Sequence, residues 1–269
     1  MNFLQEEIMN MKAIVNTNIV MEDHIILDGV ILFDETIIEI KEKDNLEIPQ
    51  NAEIIDARGN YTTPGFIDIH NHGCDGMWMF EKPKEVSAHF LEHGTTTTLC
   101  NIFYNMDLEG YLRGIETIRS FLKSEGPHTI IGFYMEGPYM NSKYGADSKN
   151  NKWNHPISED EYRKLVDSAG DLVKVWCIAP EREGIEEFCR YAREVNPDVL
   201  FSVGHSEAKP DMIYKLKKYG LRNQTHIMNA TGIVNPLCAE NKPCGIRDCG
   251  PDEAVLYDND IYAEMIVDK

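Results

Sequence analysis

Residues 66–73 read FIDIHNHG. If this stretch is a β-strand, its side chains alternate, so His70 and His72 share one side and Ile67 and Ile69 the other. Taken alone, the pattern fits either a metal-binding strand end or a half-buried strand with two solvated histidines. Whether other strands end in the same way decides between them.

From Pro64 onward, apolar runs alternate with helical stretches. The runs are GFIDIH (65–70), TTTTLCNI (95–102), TIIGFYMEG (129–137), LVKVWCIAP (172–180), VLFSVGHS (199–206), QTHIMNAT (224–231) and IYAEMIVD (261–268). Between them lie KEVSAHFLEHG, DLEGYLRGIETIRSFLKSEG, SEDEYRKLVDSAG, EGIEEFCRYAREVN and DMIYKLKKYG. Ser158 with Glu161 predicts a capping box at the third of these. Repeated strand–helix alternation predicts a parallel sheet with helical crossovers. No GxGxxG loop follows the first run, so a (β/α)8 barrel is expected rather than a doubly wound sheet.

A barrel carries its chemistry at the C-terminal ends of its strands. There the sequence has His70 and His72, then Glu136, His205 and His226. On this reading the isoleucines pack on the helices and the histidines point into the barrel mouth. Imidazoles and a carboxylate gathered from four strands suit Zn²⁺ or Fe²⁺, as one ion or two.

Upstream, residues 1–62 form a separate small β domain, and 63–269 the barrel. The stretches AIVNTNIV, HIILDGVILFD, TIIEIKE and AEIIDARG are short strand candidates, broken by turn residues such as Asp28-Gly29. Lys plus Arg number 26 against 45 Asp plus Glu, a net charge of −19. Such a surface repels nucleic acid and anionic membrane, which excludes both as expected partners. No apolar run reaches membrane-spanning length, and the acidic N-terminus is no signal peptide, so a cytoplasmic protein is expected. The seven cysteines contain no CxxC and read as reduced thiols, with Cys238, Cys244 and Cys249 a weaker second candidate for metal binding.

Read in order, PGFIDIHNHG, YMEGPYMN, APE, VGHSEA, THIMNAT and YAEMIVD resemble the N-acetylglucosamine-6-phosphate deacetylases of the amidohydrolase superfamily. The likeness runs from about residue 12 to the last residue. It implies a metal-dependent amidohydrolase-type (β/α)8 barrel with a small β domain. It implies a principal divalent metal on Glu136, His205 and His226, and a second on His70 and His72 with Glu136 bridging. By the same likeness Asn229 and Ala230 contact an amino sugar substrate, and Asp268 is a substrate-side position. The implied reaction removes an N-acetyl group from N-acetylglucosamine 6-phosphate, giving acetate and the amino sugar phosphate. Homodimers are common in the resembled family.

The sequence departs from that pattern in three places. The family's catalytic Asp ends an eighth strand, which would lie beyond Lys269, so the barrel is expected to be incomplete at its C-terminal end and turnover impaired. A substrate-binding His of the family's KGAH stretch is replaced in KYGAD, where Ala146 precedes Asp147. The position of a phosphate-binding Arg falls near Leu237, with Lys242 and Arg247 as substitutes at different spacing. These departures keep open a related amidohydrolase acting on a non-phosphorylated or non-sugar amide, and a non-catalytic remnant.

Overall fold

The computed structural model describes residues 11–232 and 249–266, in two compact units, Met1–Gly65 and Phe66–Lys269. In the first unit, β1 (Lys12–Val20), β2 (Ile25–Phe33), β3 (Ile37–Glu42), β4 (Glu53–Asp56) and β5 (Tyr61–Thr62) form one sheet. β1–β2 and β2–β3 are antiparallel, whereas β4 and β5 both pair with β1 in parallel. Ala13, Val30 and Leu32 supply its core, with Val15, Leu46 and Ile48 packed on them. Asp28-Gly29 does not break this sheet. It sits inside β2, where Asp28 takes φ +47° and the register against β1 shifts, so the turn signal marks a bulge. A Cβ on Gly29 would stand 2.4 Å from Ile19 Cδ1, so a larger residue there would push the Ile19 side chain aside.

The second unit winds in one direction. It runs through β6 (Phe66–Asp68), a small hairpin of β7 (Gly73–Cys74) and β8 (Met77–Trp78), α1 (Pro83–Glu92), β9 (Thr95–Phe103), α2 (Leu108–Leu122) and β10 (Ile130–Glu136). It continues with α3 (Glu159–Ala169), β11 (Val173–Ile178), α4 (Ile185–Val195), β12 (Leu200–Val203), α5 (Pro210–Leu216), β13 (Leu221–Gln224), α6 (Pro251–Leu256) and β14 (Tyr262–Ala263). Seven strands pair in parallel in the order β14-β13-β12-β11-β10-β9-β6. The order never reverses, as in a barrel; a doubly wound sheet would show a switch point. The sheet curls so that residues just past its two edges meet, with His70 Nδ1 3.0 Å from Glu264 Oε2. Among the described residues β6 and β14 do not pair, so this is the incomplete barrel expected.

Strand alternation sorts the core. In β10, Phe133 and Met135 face the helices, while Tyr134 faces the inside of the curl. In β11, Trp176 and Ile178 go outward, and Val175 and Cys177 inward. The outer layer is the larger, with Tyr111, Ile115 and Ile118 of α2 and Phe188 and Ala192 of α4 buried against the sheet. No helix among the described residues is long and apolar enough to cross a membrane.

Three local expectations need correction. The first strand stops at Asp68, whose carboxylate accepts from the His70 amide at 3.1 Å and turns the chain. Alternation therefore does not reach His72. Ile67 and Ile69 are 70% and 39% exposed and do not pack on helices. They line a cavity of about 1080 Å³ between the two sheet edges, together with Leu200, Tyr262 and Met265. The sixth strand is not QTHIMNAT but Leu221–Gln224, because buried Asn223 and Gln224 find side-chain partners while apolar Met228 is 71% exposed. Ser158 is the N-cap of α3, but its side chain makes no capping bond, and Glu161 lies instead 3.8 Å from His155 Nδ1.

Candidate metal centre

β10 ends in Glu136, and burial alone would push its carboxyl pKa up. Hydrogen bonds from His205, His226, His70 and His72 reverse this and hold it well below the usual range. The two oxygens face different pairs. Oε1 lies 2.8 Å from His205 Nε2 and 3.3 Å from His226 Nε2, and these nitrogens are 3.1 Å apart. Oε2 lies 3.2 Å from His72 Nε2 and 3.7 Å from His70 Nε2. His72 is 43% exposed, whereas the side chains of Glu136, His205, His226 and His70 are all at most 14% exposed.

Backbone strain brings two of these rings inward. His205 and His226 each stand two residues past a strand end, at φ +46° and +31°, the left-handed region that L-residues avoid. Hydrogen bonds hold these turns, Asn141 N donating to His205 O at 2.9 Å and Ile227 N to Glu264 O at 2.8 Å. Gly204 permits the first turn, since a Cβ there would lie 2.7 Å from both Cys177 Sγ and Thr225 Cβ.

The donor set fits a divalent cation. His226 Nδ1 lies 3.1 Å from the Asn229 carbonyl and His70 Nδ1 3.0 Å from Glu264. A carbonyl and a carboxylate can only accept, so both Nδ1 atoms carry protons, and both Nε2 atoms face the side on which a bound cation would take their lone pairs. Two groups of ligand atoms result, Glu136–His205–His226 and His70–His72–Glu136, each within 4.8 Å. A cation at the focus of each would satisfy all three atoms at once. His70 carries a second proton when no cation is present: burial would lower its pKa, but hydrogen bonds to Glu136 and Glu264 push it up to about 9.

The structure thus brings together all five ligand candidates read from the sequence. The other expected site residues lie further out. Asn229 is exposed and serves His226 through its backbone carbonyl; Ala230, at φ +53°, continues the same turn. Ala146 is exposed, and Asp147 is held by Asn105 Nδ2 at 3.1 Å and Asn150 Nδ2 at 2.6 Å. Asp268, Leu237, Lys242, Arg247, Cys238 and Cys244 lie outside the described residues, and Cys249 is exposed.

Sequence reasoning missed three carboxylates that organise the centre. Glu181, of the APE stretch, accepts from Asn141 Nδ2 (3.0 Å), Ser206 Oγ (2.7 Å) and Glu207 N (2.8 Å), tying EGPYMN to GHSEA. One oxygen of Asp252 accepts from Gln224 Nε2 (2.5 Å), Met228 N (3.0 Å) and Thr231 Oγ1 (2.8 Å), clamping the His226 loop. Glu264 accepts from Tyr134 OH at 2.7 Å, from Asn223 Nδ2 and from His70. The GPDE stretch at 250–253 carries a helix-start signal that marks α6, but nothing local tells where Asp252 points.

The amidohydrolase family model matches residues 61–245. The N-acetylglucosamine-6-phosphate deacetylase of Bacillus subtilis is 27% identical over 191 residues, covering 68% of this chain and 47% of its own length. That of Haemophilus influenzae is 25% identical over 227 residues, 82% of this chain and 55% of its own. The crystal structure of N-acetylglucosamine-6-phosphate deacetylase from Pasteurella multocida superposes with a TM-score of 0.76 at 27% identity, covering 96% of this chain and 65% of that one. The chain spans about half the length of the curated relatives it matches.

Proposed function

The chain belongs to the amidohydrolase family, and from that premise we propose that it contributes the metal centre for hydrolysis of an N-acetyl amino sugar, N-acetylglucosamine 6-phosphate first among them. The observation that carries this is Glu136, with one oxygen toward His205 and His226 and the other toward His72 and His70. Two relatives named as deacetylases of that sugar phosphate support the substrate.

An amide resists water because water is a weak nucleophile and the carbonyl a weak electrophile. A divalent metal, Zn²⁺ or Fe²⁺, supplies both remedies when bound, acidifying water and polarising the carbonyl. Glu136, His205 and His226 would hold it, and His70 and His72 a second. The chain's own task is to keep the His70 and His226 rings in one tautomer, through Glu264 and the Asn229 carbonyl, and to hold His205, His226, His70 and Glu136 mostly out of solvent.

Hydrolysis also needs a group that takes a proton from water and passes it to the departing amine. Glu136 and Glu264 do not suit that task, since both already accept from fixed donors. The test is acetate release from N-acetylglucosamine 6-phosphate by Zn²⁺-loaded protein, against an EDTA-treated control and His205→Ala. Slow release that EDTA treatment and His205→Ala both abolish is expected, and no acetate above those controls from any N-acetyl amino sugar would sink the proposal.

Asp147 favours a second reading of the substrate. Its carboxylate is held by Asn105 and Asn150 while its backbone amide donates to Tyr104 OH at 2.9 Å, and the Tyr104 ring lies 5.6 Å from that of His205. A sugar phosphate is disfavoured beside that carboxylate, and a neutral N-acyl sugar is not. Inhibition by free phosphate separates the two, since the second reading expects none.

A further inference from the structure

We propose that Glu264 is a positioning residue for this centre: its carboxylate accepts a hydrogen bond from the His70 Nδ1–H and holds the ring with Nε2 presented to Glu136. The inference rests on the metal-centre reading above and deepens it.

Glu264 follows directly on β14, and its side chain is 12% exposed. Its backbone is stitched to the strand end that carries His226, with Glu264 N donating to Gln224 O at 2.9 Å and Ile227 N donating to Glu264 O at 2.8 Å. Its carboxylate meets three side chains from separate strands and loops: Tyr134 OH and Asn223 Nδ2 on Oε1, and His70 Nδ1 on Oε2. An ionised carboxylate is acceptor-only, so the contact with His70 has one polarity, Nδ1–H donating. The opposite ring nitrogen, Nε2, then faces Glu136, where a cation that displaces its proton would find the lone pair.

The geometry separates positioning from catalysis. Glu264 touches His70 at Nδ1, the nitrogen away from Glu136, and reaches the centre only through the ring. The need for such a residue follows from the topology. β6 and β14 are the two edges of the sheet and share no backbone bond among the described residues. β6 is three residues long and ends before His70, so the sheet itself does not fix that ring. The His70–Glu264 contact spans 194 residues of sequence and crosses this gap. Carboxylates that orient a ligating histidine in this way typically change metal affinity about 10–100-fold when removed.

The test uses the full chain and two variants. Glu264→Met removes the acceptor at similar length, and Glu264→Gln keeps a neutral one. Near-UV circular dichroism checks folding. EDTA-treated protein is titrated with Zn²⁺ against a competing chelator, with His70→Ala and His205→Ala identifying which equivalent depends on which histidine. The expected result is a loss of about 10–100-fold in the His70-dependent affinity in Glu264→Met, partial recovery in Glu264→Gln, and little change in the His205-dependent equivalent. A second readout needs no metal: two-bond ¹H–¹⁵N correlation at about pH 10, where imidazole is neutral. There His70 should be a single Nδ1–H tautomer in the wild type and a mixture in Glu264→Met. Equal Zn²⁺ affinity and the same tautomer in wild type and Glu264→Met overturn this inference alone, even if stability falls. A wild-type chain that takes up no Zn²⁺ overturns the metal-centre reading and this inference with it.

Discussion

Asp252→Ala should unfold the molecule more easily and loosen the His226 turn. A single oxygen of Asp252 accepts from Gln224 Nε2, Met228 N and Thr231 Oγ1, and the residue is 5% exposed. Removing it strands the Gln224 amide, which is 0% exposed; an orphaned buried donor costs about 1–3 kcal/mol. Met228 N and Thr231 Oγ1 sit in a partly exposed turn and can turn to water, so each loses about 0.5–1.5 kcal/mol. Local relaxation absorbs part of the sum, leaving about 3 kcal/mol. For a unit of this size that lowers Tm by roughly 6–12 °C. Asp252→Asn keeps an acceptor and loses only the charge, so about half the effect is expected. Urea unfolding followed by tryptophan fluorescence measures it, with the midpoint falling at constant slope. The turn also presents Asn229 O to His226 Nδ1, so the His226-dependent Zn²⁺ affinity should fall in parallel. A midpoint for Asp252→Ala within about 0.5 kcal/mol of wild type, the usual scatter of neutral surface changes, would refute the reasoning.

Three further outcomes follow from the same geometry. With metal removed, His70 has a folded-state pKa raised to about 9 from an ordinary 6.5, so its stabilisation is complete below about pH 6.5 and lost as pH rises through 9. The stability gap between EDTA-treated wild type and His70→Asn should therefore shrink from pH 6 to 9.5, and a gap that widens would contradict the His70 contacts. Zn²⁺ displaces that proton, so binding at pH 7.5 should release protons in wild type and fewer in His70→Ala, as read by titration calorimetry in buffers of different ionisation enthalpy. Gly204→Ala forces a Cβ to 2.7 Å from Cys177 Sγ and Thr225 Cβ and should destabilise by about 1–3 kcal/mol; an unchanged urea midpoint would show that the turn before His205 has slack.

Much of the centre is legible in the chain because ligand type and strand ends are local properties. His205 and His226 each follow a short buried strand, Glu136 closes a strand that is almost wholly buried, and one-way winding follows from strand–helix alternation. Strand boundaries are less legible where polarity and burial part company. Asn223 and Gln224 look like loop residues but lie in β13 because Ser202 and Asp252 satisfy them. Ile227 and Met228 look like strand residues but lie in a turn. Asp28-Gly29 shows the same ambiguity, since a left-handed residue serves a bulge as well as a turn.

By itself the sequence determined which residues can ligate a metal, the order in which strands deliver them, and the parallel sheet that gathers them at one end. Those depend on side-chain chemistry and on periodicities a few residues long. The tertiary structure decided how they are used. Only the curl of the sheet splits Glu136 between two histidine pairs, brings Glu264 to His70 across 194 residues, and turns Ile67 and Ile69 toward an opening instead of the helices. Such contacts arise from the accumulated twist of seven strands, and no local stretch of chain encodes that sum.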